Sequence, residues 1–434
     1  MPLPDCGPAR MLASRPAVTP DRIVLWNARL VDGRGGDAET AAITVAAGRV
    51  EAVSAAAGEP PPGALDVHGR AVLPGLIDAH MHVSSDVSRS PGFGPPEPLH
   101  GEDPRPRELG YFVLAKTARA LLDAGITTVR DVGCYDDEAI VLRRAVELGL
   151  VDGPRILSCG RIISATAPGG RLFGTMYREA DGPWDMRAAV REQVRRGADF
   201  IKVMATGARS VEWEDPEPAQ MTREELAAIV DEAHRLGLRV AAHAEGLAGA
   251  RLAVEEGVDT IEHGLSLHRA PELLARMAER RTVLVPTLST FHDLAERFTA
   301  EFVPGLVDQA VRQKEEAYRT LAAARDAGVT LAMGHDSGPP GANAVELVRM
   351  AEGGLGAAGA IRAATEGSAQ ALGLTDGSGA LVPGSPADVV IVDGDPLADV
   401  RCLTDPERIW LVLKGGHAVG GRALRPRLAS TLIQ

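Results

Sequence analysis

The stretch GLIDAHMHV, residues 75–83, places His80 and His82 one residue apart at the end of an apolar run. A β-strand turns residues i and i+2 to the same face, so both imidazoles point the same way if the run is a strand. The chain contains only 11 histidines, yet a single pair at this spacing can arise by chance. Whether the two histidines form part of a metal site therefore depends on which residues lie at the ends of the other predicted strands.

A regular alternation of strand and helix patterns continues from about residue 72 to about residue 340. One helix pattern begins at Thr222 as N-cap, has Glu225 in capping-box position and ends at Gly237. Eight βα units in one chain predict an α/β fold, a (β/α)8 TIM-type barrel. The eight candidate strands are AVLPGLIDAHMH, ITTVRDV, RILSCGRII, FIKVMAT, RVAAHA, DTIEHG, TVLVPTL and VTLAMGHD.

The two ends of the chain lack helix patterns and contain short strand-like runs joined by Gly and Asp turns. They predict one small β-domain built from both termini. The expected division is a flexible extension at 1–20, β-domain parts at 21–71 and 376–434, and the barrel at 72–375. The proline-rich run between Ser84 and Glu108 is expected to be a long active-site loop.

Composition and charge narrow the function classes. The net charge of −13 disfavours nucleic acid and anionic membranes as partners and leaves a small-molecule substrate, with a homo-oligomer open. The N-terminal stretch does not have the apolar run of a signal peptide. The four cysteines are widely separated, so neither disulfides nor a cysteine metal cluster is expected, and a cytoplasmic location is the default.

Further histidines and one aspartate end later strands of the predicted barrel. His243 ends RVAAHA, His263 lies near the end of DTIEHG, and Asp336 ends VTLAMGHD. The carboxyl ends of barrel strands meet at one face, so these side chains are expected to converge with His80 and His82. Four imidazoles and a carboxylate form a ligand set that suits zinc or a similar divalent ion.

Lys202 lies inside the otherwise apolar strand FIKVMAT. An unpaired ammonium buried there would be costly, so the lysine is expected either to pair with a carboxylate or to be deprotonated and modified. A lysine that takes up CO2 becomes a carbamate, an anionic group able to bridge two metal ions.

Taken in order, the motifs PGLIDAHMH, AGITTVRDVG, GADFIKVMATG, VAAHAEG, VDTIEHG and PGSPADVVIVDGDP resemble the amidohydrolase superfamily, in particular its prolidase-like and imidazolonepropionase-like branch. The resemblance covers about residues 22–415. It implies that the terminal β-domain is a small β-sandwich and that the barrel holds two divalent metal ions, expected to be zinc. The implied ligands are His80, His82 and Asp336 for one metal, His243 and His263 for the other, and carboxylated Lys202 with a hydroxide between the two.

Such a centre predicts hydrolysis of a C–N amide bond by attack of the metal-bridging hydroxide. Asp336 would be the catalytic residue that accepts the proton and delivers it to the leaving amine. The expected substrate is an N-acyl amino acid or a dipeptide-like molecule. Other open readings are a lactonase or phosphotriesterase on the same centre, and a non-catalytic scaffold. A deaminase is disfavoured because Glu245 follows His243 by two residues instead of three.

Three positions depart from the pattern of the family and are candidates for substrate contact. Arg171 stands in the region where many prolidase-like relatives carry a histidine, and it could hold a substrate carboxylate bidentately. Glu245 lies two residues after His243, and His335 stands where relatives usually have Thr or Ser. These departures put the carry-over of dipeptide specificity in question.

Overall fold

The computed structural model describes residues 22–31, 39–84, 108–208, 214–297, 304–336 and 338–424. The expected N-terminal extension and residues 85–107 of the expected active-site loop lie outside this part of the chain.

Strands and helices are numbered separately in chain order. The strands are β1 (Arg22–Leu30), β2 (Glu39–Ala46), β3 (Arg49–Ala55), β4 (Leu65–Asp66), β5 (Ala71–Pro74), β6 (Leu76–Met81), β7 (Ile126–Asp131), β8 (Arg155–Ser158), β9 (Ile162–Ser164), β10 (Tyr177–Glu179), β11 (Ile201–Met204), β12 (Val240–Ala244), β13 (Thr260–His263), β14 (Val283–Val285), β15 (Val389–Val392), β16 (Ile409–Lys414) and β17 (His417–Gly420). The α-helices are α1 (Glu108–Asp123), α2 (Glu138–Glu147), α3 (Pro168–Phe173), α4 (Pro183–Arg196), α5 (Arg223–Arg235), α6 (Leu247–Glu256), α7 (Pro271–Arg280), α8 (Leu288–Arg297), α9 (Pro304–Asp326), α10 (Val345–Met350), α11 (Gly356–Arg362) and α12 (Ser368–Leu372).

Strands from both ends of the chain share one mixed sheet. Its order is β17-β16-β15-β5-β1-β2-β3, and β4 pairs with β1. The two ends meet where β15 pairs antiparallel with β5, for example at Val389 and Pro74. Leu25, Val72 and Leu411 belong to the apolar cluster of this sheet. A terminal sheet built from both ends is therefore present, whereas the domain boundaries stay a prediction.

The middle of the chain forms two parallel sheets, β6-β7-β8 and β10-β9-β11-β12-β13-β14. Residues 331–336 lie between them, because Leu331 bridges Leu284 of β14 and Asp336 bridges Met81 of β6, both in parallel. Ser158 O at the end of β8 accepts a hydrogen bond of 2.8 Å from Asp199 N, two residues before β11. Because residues 331–336 run parallel to both β14 and β6, the carboxyl ends of the two sheets lie on the same side.

Two predicted strands are each divided in the structure. The first is split at Gly75 into β5, in the terminal sheet, and β6, in a parallel sheet. A Cβ atom at Gly75 would lie 2.1 Å from Thr127 Oγ1, so only glycine allows this crossing. The third is split into β8 and β9 around Gly160, which has a φ of 67°. The prediction of continuous strands was wrong at these two points because hydrophobic pattern alone does not show a change of sheet.

Helices pack on the parallel sheets through apolar faces. α5 begins as predicted, with Thr222 and Glu225 forming a capping box. Leu226 and Ile229 of this helix share a buried cluster with Val240 and Ala242 of β12. Residues of a parallel strand that face the helices are thus apolar, and the polar residues of the same strands are left for the inside and the carboxyl ends.

Candidate metal centre

Five predicted ligands meet at the carboxyl ends of the parallel strands. His80, His243, His263 and Asp336 are buried, and His82, directly after β6, is partly exposed. Asp336 Oδ1 lies 3.5 Å from His80 Nε2 and 3.5 Å from His82 Nε2. His80, His263 and Asp336 each place one ligand atom within 4.8 Å of the others, a spacing compatible with binding one cation.

His243 and His263 continue this group toward the neighbouring strands. The ring centroids of His80 and His263 are 5.0 Å apart, and those of His263 and His243 are 4.6 Å apart. His243 Nε2 lies 3.2 Å from the carbonyl oxygen of Gly207. The imidazoles therefore form a continuous row, longer than one ion needs.

Hydrogen bonds donated by Nδ1 determine which ring nitrogens remain for a metal. His82 Nδ1 donates to the carbonyl oxygen of Gly133 at 2.7 Å, and His80 Nδ1 lies 2.6 Å from Glu262 Oε2. A carbonyl or an ionised carboxylate only accepts, so each ring in its neutral form carries its proton on Nδ1 and leaves Nε2 available to a metal. Burial lowers the pKa of His82 to about 4, which keeps this imidazole neutral at pH 7.

Asp336 is the acidic centre of the group. Its Oδ2 accepts a hydrogen bond of 2.6 Å from Thr290 Oγ1, whereas its buried Oδ1 accepts none from the described residues. Burial alone would raise the pKa of this carboxyl, but the electrostatic effect of the surrounding imidazoles, that of His80 above all, holds the pKa well below its ordinary value. A buried, ionised oxygen without a hydrogen-bond donor fits a divalent cation.

Lys202, in β11, is buried in the same region and interacts electrostatically with Glu262 and Asp336. Burial lowers the pKa of Lys202 to about 8, against the opposing charge of Glu262. A measurable fraction of the amine is therefore neutral near pH 7, which is the form that reacts with CO2.

A buried network behind His80 was missed by the sequence analysis. Arg130 Nη2 donates to Glu262 Oε1 at 2.8 Å, and Arg130 Nε donates to the carbonyl oxygen of Ala79 at 2.6 Å. Although burial opposes it, the charge of Arg130 holds the pKa of Glu262 well below its ordinary value. The available signal was the pair of oppositely charged residues inside the strands ITTVRD and TIEH, each of which needs a partner.

The three candidates for substrate contact differ in position. Arg171, in α3, is exposed and forms no hydrogen bond or ion pair with the described part of the chain. Glu245 is buried, and its Oε1 lies 3.5 Å from His243 Nε2. His335 is buried, and its backbone N–H donates to Asp78 Oδ1 at 3.3 Å. Glu245 thus lies beside the candidate metal centre, and substrate contact by all three residues stays a prediction.

Comparison with known proteins identifies the protein family of this chain. The model of the amidohydrolase family matches residues 71–419. Ochratoxinase of Aspergillus niger is 32% identical over 383 residues, which is 82% of this chain and 77% of that protein. Imidazolonepropionase of Paracoccus denitrificans is 26% identical over 409 residues, covering 85% of this chain and 93% of the relative.

Solved structures agree with the sequence matches. The crystal structure of A. niger ochratoxinase superposes with a TM-score of 0.82 at 28% identity and covers 94% of this chain and 97% of its own. A Xaa-Pro dipeptidase with bound methionine in its active site superposes with a TM-score of 0.81 at 29% identity, covering 92% of this chain and 100% of that chain.

The chain belongs to the amidohydrolase family, and it is a hydrolase of the class that acts on carbon–nitrogen bonds. The resemblance noted from the motifs is thereby confirmed. No helix among the described residues has the length and apolar character needed to cross a membrane.

Proposed function

We propose that the eight parallel segments close into a (β/α)8 barrel around the row of histidines. The support is the pair of parallel bridges that join residues 331–336 to β14 on one side and β6 on the other. Hydrogen bonds extend this contact, since Ala79 N donates to the carbonyl oxygen of Met333 at 2.8 Å and Asp336 N donates to that of His80 at 2.7 Å.

We propose that the barrel holds two divalent metal ions, zinc being the expected metal. His80, His82 and Asp336 would hold one ion, His243 and His263 the other, and Lys202, as a carbamate, would contact both. The observation that carries this proposal is the unprotonated Asp336 Oδ1, 3.5 Å from two Nε2 atoms whose rings have their Nδ1 positions occupied. When bound, such ions activate water and polarise a carbonyl group.

The residues of this chain would then direct a hydrolysis. Asp336, oriented by the hydrogen bond from Thr290 to Oδ2, would take the proton of the attacking water and pass it to the departing nitrogen. Glu262 holds the His80 ring in one tautomer and orientation, so the face that meets the substrate is rigid. Buried surroundings strengthen each of these electrostatic contacts.

The proposed substrate is an amide of an amino acid, either an N-acyl amino acid or a dipeptide. The relatives support this class, since one structural neighbour is a Xaa-Pro dipeptidase. Arg171 remains the candidate for the substrate carboxylate, and Glu245 and His335 are proposed to line the substrate site. The carbonyl oxygen and the leaving nitrogen of the scissile amide would lie over the row of imidazoles.

The deciding experiment combines metal analysis with a substrate panel. We expect purified protein, supplied with zinc and bicarbonate, to hold two equivalents of metal and to hydrolyse members of a panel of N-acyl amino acids and dipeptides. Lactones and phosphotriesters in the same panel test the remaining hydrolase chemistries. Protein that takes up no divalent metal, and gains no activity from metal plus bicarbonate, would contradict the proposal.

A further inference from the structure

A cavity of about 730 Å3 opens at the amino ends of four neighbouring parallel segments. The residue directly before each segment lines it. These residues are Arg239 before β12, Asp259 before β13, Thr282 before β14 and Thr330 before Leu331. His243 lies four positions after Arg239, so the cavity is roughly 13 Å from the candidate metal centre along β12.

The lining of this cavity is cationic within an acidic protein. Arg280 and Arg281 join Arg239, against the two carboxylates Asp259 and Glu366. Both carboxylates already have partners, since Asp259 Oδ2 accepts from His234 Nε2 at 2.9 Å and Glu366 Oε2 lies 3.2 Å from Arg362 Nε. The three guanidinium groups are thus only partly compensated, in a chain whose net charge is −13.

Arg239 is a partly buried arginine of the cavity lining. Its Nε is buried and donates no hydrogen bond to the described residues, and its Nη1 lies 3.6 Å from Asp259 Oδ1. A Cβ atom at Gly373 would lie 2.7 Å from Arg239 Cδ, so the glycine provides the room that this side chain occupies. Burial lowers the pKa of Arg239, the expected sign for a guanidinium whose charge is not fully balanced.

Arg281 is an exposed arginine of the cavity lining. It is the C-cap that follows α7, with a φ of 59° in the left-handed region that ends many helices. The side chain is exposed beside the cavity, and Arg280 on the same side donates to the carbonyl oxygen of Val254 at 2.9 Å. The end of the helix fixes the backbone of Arg281 at the edge of the cavity, since Thr282 N donates to the carbonyl oxygen of Met277 at 2.9 Å.

We propose that this cavity binds an anionic small molecule that carries phosphate or carboxylate groups. Guanidinium groups form paired, charge-assisted hydrogen bonds with either oxyanion, and the cavity has the size of a small-molecule site. Gln370 and Ser378 also line it and offer neutral hydrogen-bonding groups to the rest of the ligand. The site is separate from the metal centre and does not depend on the proposed activity.

Isothermal titration with pyrophosphate and with citrate, in 0.15 M sodium chloride, tests the proposal. We expect one equivalent of at least one probe to bind with a Kd below about 1 mM. Binding of pyrophosphate alone identifies a phosphate site, and binding of citrate alone identifies a carboxylate site. Arg281→Gln, an exposed change, is expected to weaken binding at least fivefold, and Arg280→Gln provides a second variant.

Arg276→Gln is the matched control, because Arg276 is an exposed arginine of α7 outside the lining. It removes the same charge and should leave the Kd unchanged. The proposal is overturned if neither probe binds, or if Arg276→Gln weakens binding as much as Arg281→Gln. Lys202→Ala should bind the anion as the parent protein does, so a failure of the hydrolase proposal would not be mistaken for a failure of this one.

Discussion

At their carboxyl ends β12 and β13 carry His243 and His263, two buried imidazoles with ring centroids 4.6 Å apart. At their amino ends the same strands follow Arg239 and Asp259, which line an open polar cavity. The two ends are only a few residues apart, yet one is buried and rich in metal-binding groups and the other is open to solvent and rich in arginine. The comparison teaches that strand direction, more than residue type, divides reactive positions from supporting ones.

Three non-glycine residues near the carboxyl ends have a left-handed backbone. His263, Thr287 and Asp336 have φ values of 68°, 47° and 59°. A non-glycine residue in this region costs about 1–3 kcal/mol and persists only where the surroundings hold it. Thr287 Oγ1 lies 2.7 Å from His263 Nδ1, so the strain is coupled to the orientation of a candidate ligand.

Lys202→Ala should have the largest effect at the carboxyl ends. Loss of the proposed carbamate bridge is expected to lower kcat/KM on the order of a thousandfold and to reduce bound metal below two equivalents. The measurements are metal analysis and turnover of the best amide of the panel. Lys116→Ala, an exposed change on α1, serves as control. Two retained metals with full turnover would remove Lys202 from the centre.

Asp336→Asn should separate metal binding from proton transfer. The amide keeps an oxygen beside His80 and His82 but cannot take up a proton, so kcat should fall roughly 100- to 1,000-fold while part of the metal is retained. Kinetics and metal analysis on the same preparation measure both effects, with exposed Asp326→Asn as control. Substantial turnover in the variant would exclude Asp336 as the proton carrier.

Glu262→Gln should loosen His80 without touching any ligand atom directly. Because Glu262 accepts from His80 and Arg130, we expect metal affinity to fall about 10- to 100-fold. Metal titration against a chelator measures the loss, and Glu279→Gln on the surface of α7 is the matched change. Unchanged metal affinity would show that the network supports folding alone.

Asp388→Ala tests the amino ends of the parallel strands, where we expect an effect on stability and not on catalysis. Asp388 joins the terminal sheet to the amino end of β8, accepting from Arg155 Nη1 at 3.0 Å and from Gly415 N at 2.8 Å. Loss of both contacts should lower the free energy of unfolding by about 1–3 kcal/mol. Urea unfolding measures this, and kcat/KM should stay unchanged. A large loss of activity in folded protein would contradict the division between the two ends.

Glu346→Gln is expected to leave activity unchanged and to alter the pH dependence of the free energy of unfolding. Burial raises the pKa of Glu346 to about 7, although the carboxyl accepts from Leu288 N and from Ser289. The folded state therefore holds this proton more tightly than the unfolded state, and the stability that it gives is lost as pH rises from about 4.5 through about 7.

The variant does not titrate there, so the stability of the parent protein relative to Glu346→Gln should fall by about 1–3 kcal/mol between pH 5 and pH 8. Urea unfolding at both pH values measures the difference. Asp78 and Asp131, which also have raised pKa values, are common to both proteins and cancel. A difference independent of pH would contradict the assignment to Glu346.

Much of the candidate site could be predicted because its residues end strands. His80, His82, His243, His263 and Asp336 each lie at or near the end of a strand pattern, and parallel strands bring such positions to one edge. Arg130 and Glu262 could not be paired beforehand, since 132 residues separate them and only the order of the strands brings them together. The exposure of Arg171 on α3 could not be predicted from the local sequence pattern either.

The sequence by itself determined the alternation of strands and helices, the residues available as ligands and the capped start of α5, because hydrophobic period and capping act within a few residues. Tertiary structure decided where one strand run changes sheet at Gly75, which ring nitrogen of His80 remains for a metal, and how three arginines gather at the amino ends. Those features depend on contacts between segments that are distant in the chain, and a local pattern carries no information about them.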